Sequence, residues 1–148
     1  SEFSRLEIDR YVVQRQAPAG VSVVLTSRED PLFGPVVSFG VAGMAHDVLE
    51  DRGYRVPPFT DADADELVRA PRASEVLLRS PGIEPLDLAA LHDLVVRVGR
   101  LADELPEVAQ LRLRPVVVSP RGAVVLGARL HVARPLVRTD LPARRLLG

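Results

Sequence analysis

The sequence contains no cysteine, no lysine and no tryptophan, and aromatic residues make up only 4% of its 148 residues. Without cysteine, disulfide bonds, thiol nucleophiles and cysteine-bound zinc are excluded. Without lysine, the chain cannot provide a P-loop lysine, a Schiff base or a lysine acetylation site of its own. All 19 basic residues are arginine, yet the net charge is -1, so no general affinity for nucleic acid is predicted.

Long apolar runs are also missing. No stretch approaches about 18 uninterrupted apolar residues and no charged-then-apolar leader is present, so we expect no membrane span and no signal peptide. The expected protein is cytoplasmic, with neither a membrane nor a nucleic acid as a partner. A hydrophobic content of 47% in 148 residues is enough for one compact core, but the chain is too short for two ordinary domains.

The two ends of the chain differ from the rest. Residues 1–3, Ser-Glu-Phe, resemble a remnant of cloning, which indicates that the chain was cut from a longer protein. Residues 134–148 contain prolines and paired arginines without periodicity, and are predicted to be a linker or a tail. The domain itself is therefore assigned to residues 4–133.

Turn-forming residues surround a short apolar run, residues 36–39, in the middle of the stretch from residue 30 to residue 51. These turn formers are Pro31, Gly34, Pro35, Gly40 and Gly43. Glycine is typical of positions where φ is positive or where another backbone or a ligand comes close. The stretch therefore predicts a shaped surface, and a plain β-hairpin is the alternative.

Alternating and β-branched segments predict an antiparallel sheet. The predicted strands are Ile8–Gln16, Val21–Ser27, Val36–Phe39, Arg52–Val56, Gln110–Ser119 and Ala123–Val132. The first two should pair as a hairpin, a turn is expected at Arg28–Pro31, and Pro120–Gly122 should join the last two strands. The predicted fold class is α+β, with helices packed on one face of the sheet.

Three helical segments are predicted. Thr60 followed by Asp63 is typical of a helix N-cap. The acidic run of residues 61–66 is better explained as a first helical turn than as a metal cluster, because its carboxylates do not converge. Residues 72–79 form a second, short helix. Asp87 begins the clearest helix, which runs to Glu104 with its apolar stripe at Leu88, Leu91, Val95, Val98 and Ala102.

A series of residues in this chain resembles the ATP-grasp domain of the NDP-forming acyl-CoA synthetases. The series is Asp30, Pro31, Phe33, Gly34, Pro35, Phe39, Gly40 and Gly43, then Asp47–Asp51, Arg55 and Pro57. The same domain occurs in protein lysine acetyltransferases that carry a synthetase-like region beside a GNAT domain. The likeness covers residues 11–130 and implies an ATP-grasp C-terminal-lobe-like fold, with the domain at residues 4–133 as the second lobe.

The resemblance also implies partners. The first ATP-grasp lobe, with the lysine that grips the phosphates, would precede Tyr11 in a parent chain. A CoA-binding domain and, in the acetyltransferases, a GNAT domain would complete that chain. The family would use MgATP and CoA, whereas no cofactor is expected in the isolated domain.

The metal-binding hairpin of the family is altered in this sequence. In the family, one strand carries an acidic residue and an asparagine before proline, and the returning strand carries an aspartate thirteen residues after the asparagine. These positions are Arg112, Arg114 before Pro115, and Gly127. Arginine has donors and no acceptor, so it cannot bind a cation. The Gly-Gly of the family's loop is also changed, to Ala42-Gly43. Because all three ligand positions are altered, no metal ligand and no catalytic residue is predicted.

Five residues are candidates for ligand binding: Gln14, Gly40, Gly43, Arg112 and Arg114. The resemblance implies that Gln14 lies near the adenine of the nucleotide. It also implies that the loop containing Gly40 and Gly43, which we call the glycine loop, lies near the phosphates. Arg112 and Arg114 alternate on one strand and should project to the same face. They could bind an anion such as a nucleotide or CoA without metal, or pair with carboxylates such as Asp47, Glu50 or Asp51.

The expected function is that of a degenerate, non-catalytic ATP-grasp-like module with a regulatory or scaffolding role in a larger protein, such as a GNAT-type acetyltransferase. One alternative is a nucleotide-binding fragment of an active ADP-forming acyl-CoA synthetase. Another is a protein-interaction or dimerisation module. The fragment alone is not expected to be catalytic, and the parent is expected to be an acetyltransferase or a synthetase.

Overall fold

The computed structural model describes residues 10–43, 47–79 and 84–135. The strands in these residues are β1 (Val21–Asp30), β2 (Gly34–Val41), β3 (Gly53–Arg55), β4 (Val108–Ser119), β5 (Gly122–Val125) and β6 (Ala128–Val132). The helices are α1 (Asp61–Arg69), α2 (Glu75–Leu78) and α3 (Leu88–Glu104), and a 3-10 turn at Arg72–Ser74 precedes α2. None of the helices in these ranges has the length and apolar character needed to cross a membrane.

The strands form one antiparallel sheet in the order β3-β2-β1-β4, and β5 and β6 share the far edge of β4. Buried residues of α1 and α3, such as Leu67, Leu91 and Val95, lie in the same core cluster as Leu25 and Phe39 of the sheet. Strand alternation directs the remaining side chains to the opposite face. The predicted α+β class, with helices on one face of an antiparallel sheet, is confirmed.

The turn between β1 and β2 is built by Asp30. Its Oδ1 accepts hydrogen bonds from the backbone N–H groups of Leu32 (2.8 Å) and Phe33 (3.1 Å), and these bonds lower the pKa of the Asp30 carboxyl. Gly34 follows with φ at 72°, a conformation that favours glycine. The turn therefore lies at residues 31–33, and the predicted turn at Arg28–Pro31 was placed too early because β1 continues through Asp30.

The predicted N-terminal strand Ile8–Gln16 is wrong over its described part, because residues 10–16 form no strand. Both edges of β1 are occupied, one by β2 and the other by β4, so the predicted hairpin with β1 has no free edge to use. Tyr11 and Val13 are 81% and 98% exposed. The alternation in this segment therefore buries neither face, and its pattern alone could not identify a strand.

The predicted start of α1 is confirmed. Thr60 and Asp63 form a reciprocal capping box, and its hydrogen bonds lower the pKa of the Asp63 carboxyl. Further along α1, Asp65 pairs with Arg69, and Glu66 pairs with Arg55 of β3. The acidic run thus caps the helix and forms ion pairs along it.

The predicted long helix is confirmed as α3. Asp87 is its N-cap and accepts a hydrogen bond from Ala90 N–H at 2.9 Å. The predicted stripe is buried from Leu91 to Ala102, and Leu88 is partly buried against the same core. Residues 1–3 and most of the predicted tail lie outside the described residues.

Phe59 packs against α3 at Gly99. A Cβ atom added to Gly99 would lie 2.3 Å from Phe59 Cζ, far inside van der Waals contact. The glycine therefore lets the aromatic ring approach the helix backbone. This contact fixes the chain segment that leads from β3 into α1.

We expect Gly99→Ala to lower the free energy of unfolding by about 1–3 kcal/mol, because the ring must move out of its packed position. In a Phe59→Ala background the same change should raise stability by up to about 1 kcal/mol, since alanine favours the helix and the clash is gone. Urea denaturation of the four proteins in this cycle measures both effects. A Gly99→Ala change that destabilises both backgrounds equally would contradict the assigned contact.

Asp51 joins the loop before β3 to the helical segment that follows α1. Its two carboxylate oxygens accept hydrogen bonds from the backbone N–H groups of Arg72 (2.9 Å) and Ala73 (2.8 Å). The 3-10 turn has no side-chain cap of its own. A residue distant in sequence therefore satisfies its first N–H groups.

Asp51→Ala should lower the free energy of unfolding by about 1–2 kcal/mol, because two backbone donors lose their acceptor. Asp51→Asn should cost less, because its remaining carbonyl oxygen can still accept one bond. Asp93→Ala, which removes only an exposed ion pair with Arg97, is the matched control. Urea denaturation midpoints measure these differences. If Asp93→Ala is less stable than Asp51→Ala, the role of Asp51 as the cap of the 3-10 turn is refuted.

Candidate functional site

The long strand β4 changes partner halfway along its length. Its first half pairs with β6, with Arg112 opposite Arg129, and its second half pairs with β5, with Val116 opposite Val125. Between them, Arg114 N–H donates to Gly127 O and Leu126 N–H donates to Pro115 O, each at 2.9 Å. The predicted single returning strand Ala123–Val132 is therefore wrong, because the ladder is interrupted around Pro115, which has no N–H to donate.

The other edge of β4 is irregular at the same place. Val23 pairs with Val116 and Leu25 pairs with Leu113, so two β4 residues lie opposite one β1 residue. This is the pattern of a β-bulge, which bends a strand locally and redirects its side chains. The bulge and the break in the returning strand both fall at Arg114 and Pro115.

The break in the returning strand brings together the three positions at which the family resemblance predicts metal ligands. Arg112, Arg114 and Gly127 line an open cavity of about 400 Å³ with Ala128 and Arg129, which we call the arginine pocket. Sequence reasoning missed Arg129. Its signal was available, because Arg129 lies two residues after Gly127 within the predicted strand Ala123–Val132, on the same predicted face.

Arg114 forms an ion pair with Asp47, and both its terminal nitrogens donate to the carboxylate, at 2.9 Å and 2.8 Å. These contacts raise the pKa of Arg114 above its usual value, so the guanidinium stays charged. The side chains are 36% and 45% exposed. The alternative in which Arg114 pairs with Asp47 is therefore confirmed. In the described part of the chain, Arg112 and Arg129 have no such carboxylate partner.

A row of polar residues crosses the sheet on the face away from the helices. Each residue lies opposite the next on the neighbouring strand, in the order Tyr54, Ser38, Thr26, Arg112 and Arg129. The hydroxyls of Thr26 and Ser38 are hydrogen-bonded at 2.6 Å. We call this surface the polar face, and the arginine pocket lies at its β6 end.

A second cavity of about 200 Å³ extends the polar face toward β3. Its charged and aromatic lining consists of Arg28, Arg52, Tyr54 and Arg112. Arg112 lines both cavities, so the two form one continuous basic surface. The opposite side of the same strands is mainly apolar and packs in the core. One face of the sheet therefore stabilises the fold, and the other carries the basic surface.

The glycine loop supplies Asp47 to this surface. Gly43 has φ at +133°, and its carbonyl accepts a hydrogen bond from Asp47 N–H at 3.0 Å. Gly40 lies earlier, buried in β2 opposite Val24. Gln14 is exposed outside the sheet and does not line the arginine pocket. The binding roles of Gln14, Gly40 and Gly43 stay predictions.

The arginine pocket does not fit a magnesium ion. Mg²⁺ requires several hard oxygen ligands, whereas the charged groups that line this cavity are guanidinium groups. Over residues 10–43, 47–79 and 84–135, no three His, Cys, Asp or Glu side chains are grouped to hold a metal. A Cβ atom at residue 127 would lie 2.3 Å from the Arg114 carbonyl oxygen, so an aspartate there would also require the backbone to move. The pocket is suited to an anion.

Comparison with known proteins agrees with the fold. An ATP-grasp domain model matches residues 2–132. The chain is 36% identical over 119 residues to the beta subunit of acetate–CoA ligase (ADP-forming) I of Pyrococcus furiosus, covering 80% of the chain and 51% of that subunit. It is 34% identical over 126 residues to acetate–CoA ligase (ADP-forming) I of Archaeoglobus fulgidus, covering 85% of the chain and 18% of that protein.

A solved structure shows the same architecture. It is the dinucleotide-forming acetyl-coenzyme A synthetase 1 of Ca. Korarchaeum cryptofilum in complex with coenzyme A and Mg-AMPPCP. The TM-score is 0.74 at 35% identity, over 79% of this chain and 55% of that one. The chain thus spans about half the length of the beta subunit and of this structure, and less of the longer ligase. It belongs to the ATP-grasp domain family, in the form that occurs in ADP-forming acetyl-CoA synthetase-like proteins.

Proposed function

We propose that this chain is the nucleotide-binding part of an ADP-forming acyl-CoA synthetase-like protein, and that its polar face receives the phosphates. The observation that carries the proposal is the position of Arg112, Arg114 and Arg129 around one pocket. The resemblance predicts the family's metal hairpin at the same strands. The relatives' ligase activity and the nucleotide and CoA in the solved relative support it.

The arginines can bind phosphate groups directly. A guanidinium group is planar and can donate two parallel hydrogen bonds to one phosphate. The hydroxyls of Thr26, Ser38 and Tyr54 lie along the same row of the sheet, where they can donate to and accept from the neutral parts of a ligand. Because the pocket is open, other segments of a longer protein would be needed to enclose a nucleotide.

The family's magnesium is not assigned to this chain, because none of the described residues that line the arginine pocket has a side-chain oxygen. Magnesium that accompanies the nucleotide would require ligands from other segments of the parent. This chain then contributes charge neutralisation and position.

A second candidate function is a non-catalytic module that binds a nucleotide or CoA as a regulatory ligand, as in a GNAT-type acetyltransferase with a synthetase-like region. The observation that favours it is that arginine, arginine and glycine occupy all three expected ligand positions. The two candidates share ligand binding and differ in turnover. A measurement of acyl-CoA formation therefore separates them.

The test of the proposed function uses the parent protein with ATP or ADP. A fluorescent ATP analogue should bind and be displaced by ADP, and Arg112→Ala should weaken binding about tenfold or more, since a charge-assisted hydrogen bond contributes about 1.5–3 kcal/mol. Arg97→Ala, on an exposed face of α3, is the matched control. Absence of nucleotide binding in the parent protein would overturn the proposal.

Turnover is measured in the same protein as ATP- and CoA-dependent acyl-CoA formation from acetate and other short carboxylic acids. Formation of acyl-CoA with release of ADP favours the synthetase. Nucleotide binding with no acyl-CoA from any acid favours the regulatory module.

The 148-residue chain by itself should not bind Mg²⁺ with useful affinity, because guanidinium groups line the pocket where the family places its metal ligands. Calorimetric titration with MgCl₂ should give no binding heat, and EDTA should leave the melting temperature unchanged. A micromolar dissociation constant that EDTA abolishes would contradict this expectation.

A further inference from the structure

We infer that the arginine pocket is a metal-free site for a diphosphate group, and that Asp47 is an internal competitor that occupies Arg114 until the anion replaces it. The inference rests on the proposed function in placing phosphates on the polar face. It goes further by assigning the pocket a ligand class and a means of control.

The arginine pocket is positively charged. Guanidinium groups from β4 and β6 line a cavity of about 400 Å³. Arg112 lies opposite Arg129 across the paired strands, and Arg114 follows two residues after Arg112 on the same face. No carboxylate is among the described residues that line this cavity. Arg112 and Arg129 lie opposite each other, and Asp47 offsets only the charge of Arg114, so the pocket remains positively charged and favours an anion with more than one negative charge over a chloride ion.

The backbone geometry keeps the pocket open. Gly127 lies between the arginines, where a Cβ atom would come within 2.3 Å of the Arg114 carbonyl oxygen. Glycine therefore allows the strand to approach β4 closely and adds no side chain to the cavity.

Asp47 shows how an anion binds here. Its two oxygens accept both terminal N–H groups of Arg114, which is the bidentate geometry that a phosphate would use. The pair is partly exposed, and such pairs contribute little to stability, so a more highly charged anion can replace the carboxylate.

The chemical class of the ligand follows from the number of donors. A single phosphate can use one or two guanidinium groups, whereas three guanidinium groups, those of Arg112, Arg114 and Arg129, can be shared between the two linked phosphates of a diphosphate. Inorganic pyrophosphate, the diphosphate of ADP and the diphosphate of CoA share this chemistry. The three compounds are therefore separate arms of one experiment.

The experiment measures the melting temperature and binding isotherms of the 148-residue chain in EDTA, with pyrophosphate, ADP or CoA at matched ionic strength. Pyrophosphate should raise the melting temperature without metal. Arg112→Ala and Arg129→Ala should each weaken pyrophosphate binding about tenfold or more, and Arg129→Lys should weaken it less because it keeps the charge. Arg97→Ala is the matched control, and circular dichroism confirms that each variant is folded.

Asp47→Asn tests the competitor. The variant should bind pyrophosphate several-fold more tightly, because a neutral amide holds Arg114 less strongly than a carboxylate. Equal or weaker binding by Asp47→Asn would refute the competition. If pyrophosphate has no effect on the unsubstituted 148-residue chain, the site is refuted. The site is also refuted if the pyrophosphate effect is unchanged in Arg112→Ala.

The outcomes also separate this inference from the proposed function. Binding of pyrophosphate here, with no nucleotide bound by the parent protein, would leave the anion site standing and remove the nucleotide function. Nucleotide binding by the parent protein that is unaffected by substitution of Arg112 and Arg129 would support the nucleotide function and refute the anion site. Tighter binding of ADP or CoA than of pyrophosphate identifies the natural source of the diphosphate.

Discussion

The pairing of β1 with β4 is the constraint on which the rest of the structure depends. β1 lies in the centre of the sheet and contributes Leu25 to the core, but β4 is formed by residues that follow almost ninety positions later. Until β4 returns, one edge of β1 has unpaired backbone groups and the helices cover only part of the sheet. The same pairing places Thr26 beside Arg112 and so assembles the polar face.

β4 serves the core and the polar face with one sequence. Leu111, Leu113 and Val116 belong to the core cluster, while Arg112 and Arg114 lie between the apolar residues and line the arginine pocket. Arg112 is paired on both edges of β4, so its position is set by the sheet ladder. Arg114 lies at the bulge, where its backbone N–H donates to Gly127 O. A basic site built in this way is more rigid than one on a loop.

The distribution of charge matters more than its total. A net charge of -1 gives no indication of a basic surface. In the folded chain, α1 carries clustered carboxylates that are engaged with Arg55 and Arg69, whereas the arginines of the pocket lie on the opposite side of the sheet from the helices. Folding therefore concentrates three arginines around one pocket on a nearly neutral protein.

The sequence by itself determined the local elements of this protein. The capping box at Thr60, the long helix after Asp87 and the face shared by Arg112 and Arg114 follow from contacts over a few residues and from strand or helix periodicity. The resemblance found from residues 11–130 also led to the correct family. Tertiary structure alone decided which segments pair. It left residues 10–16 outside the sheet, broke the returning strand opposite Pro115, and brought Asp47 and Arg129 to the pocket. The physical reason is that local patterns fix what a segment can become, whereas its partner depends on competition for strand edges and charges across the whole chain.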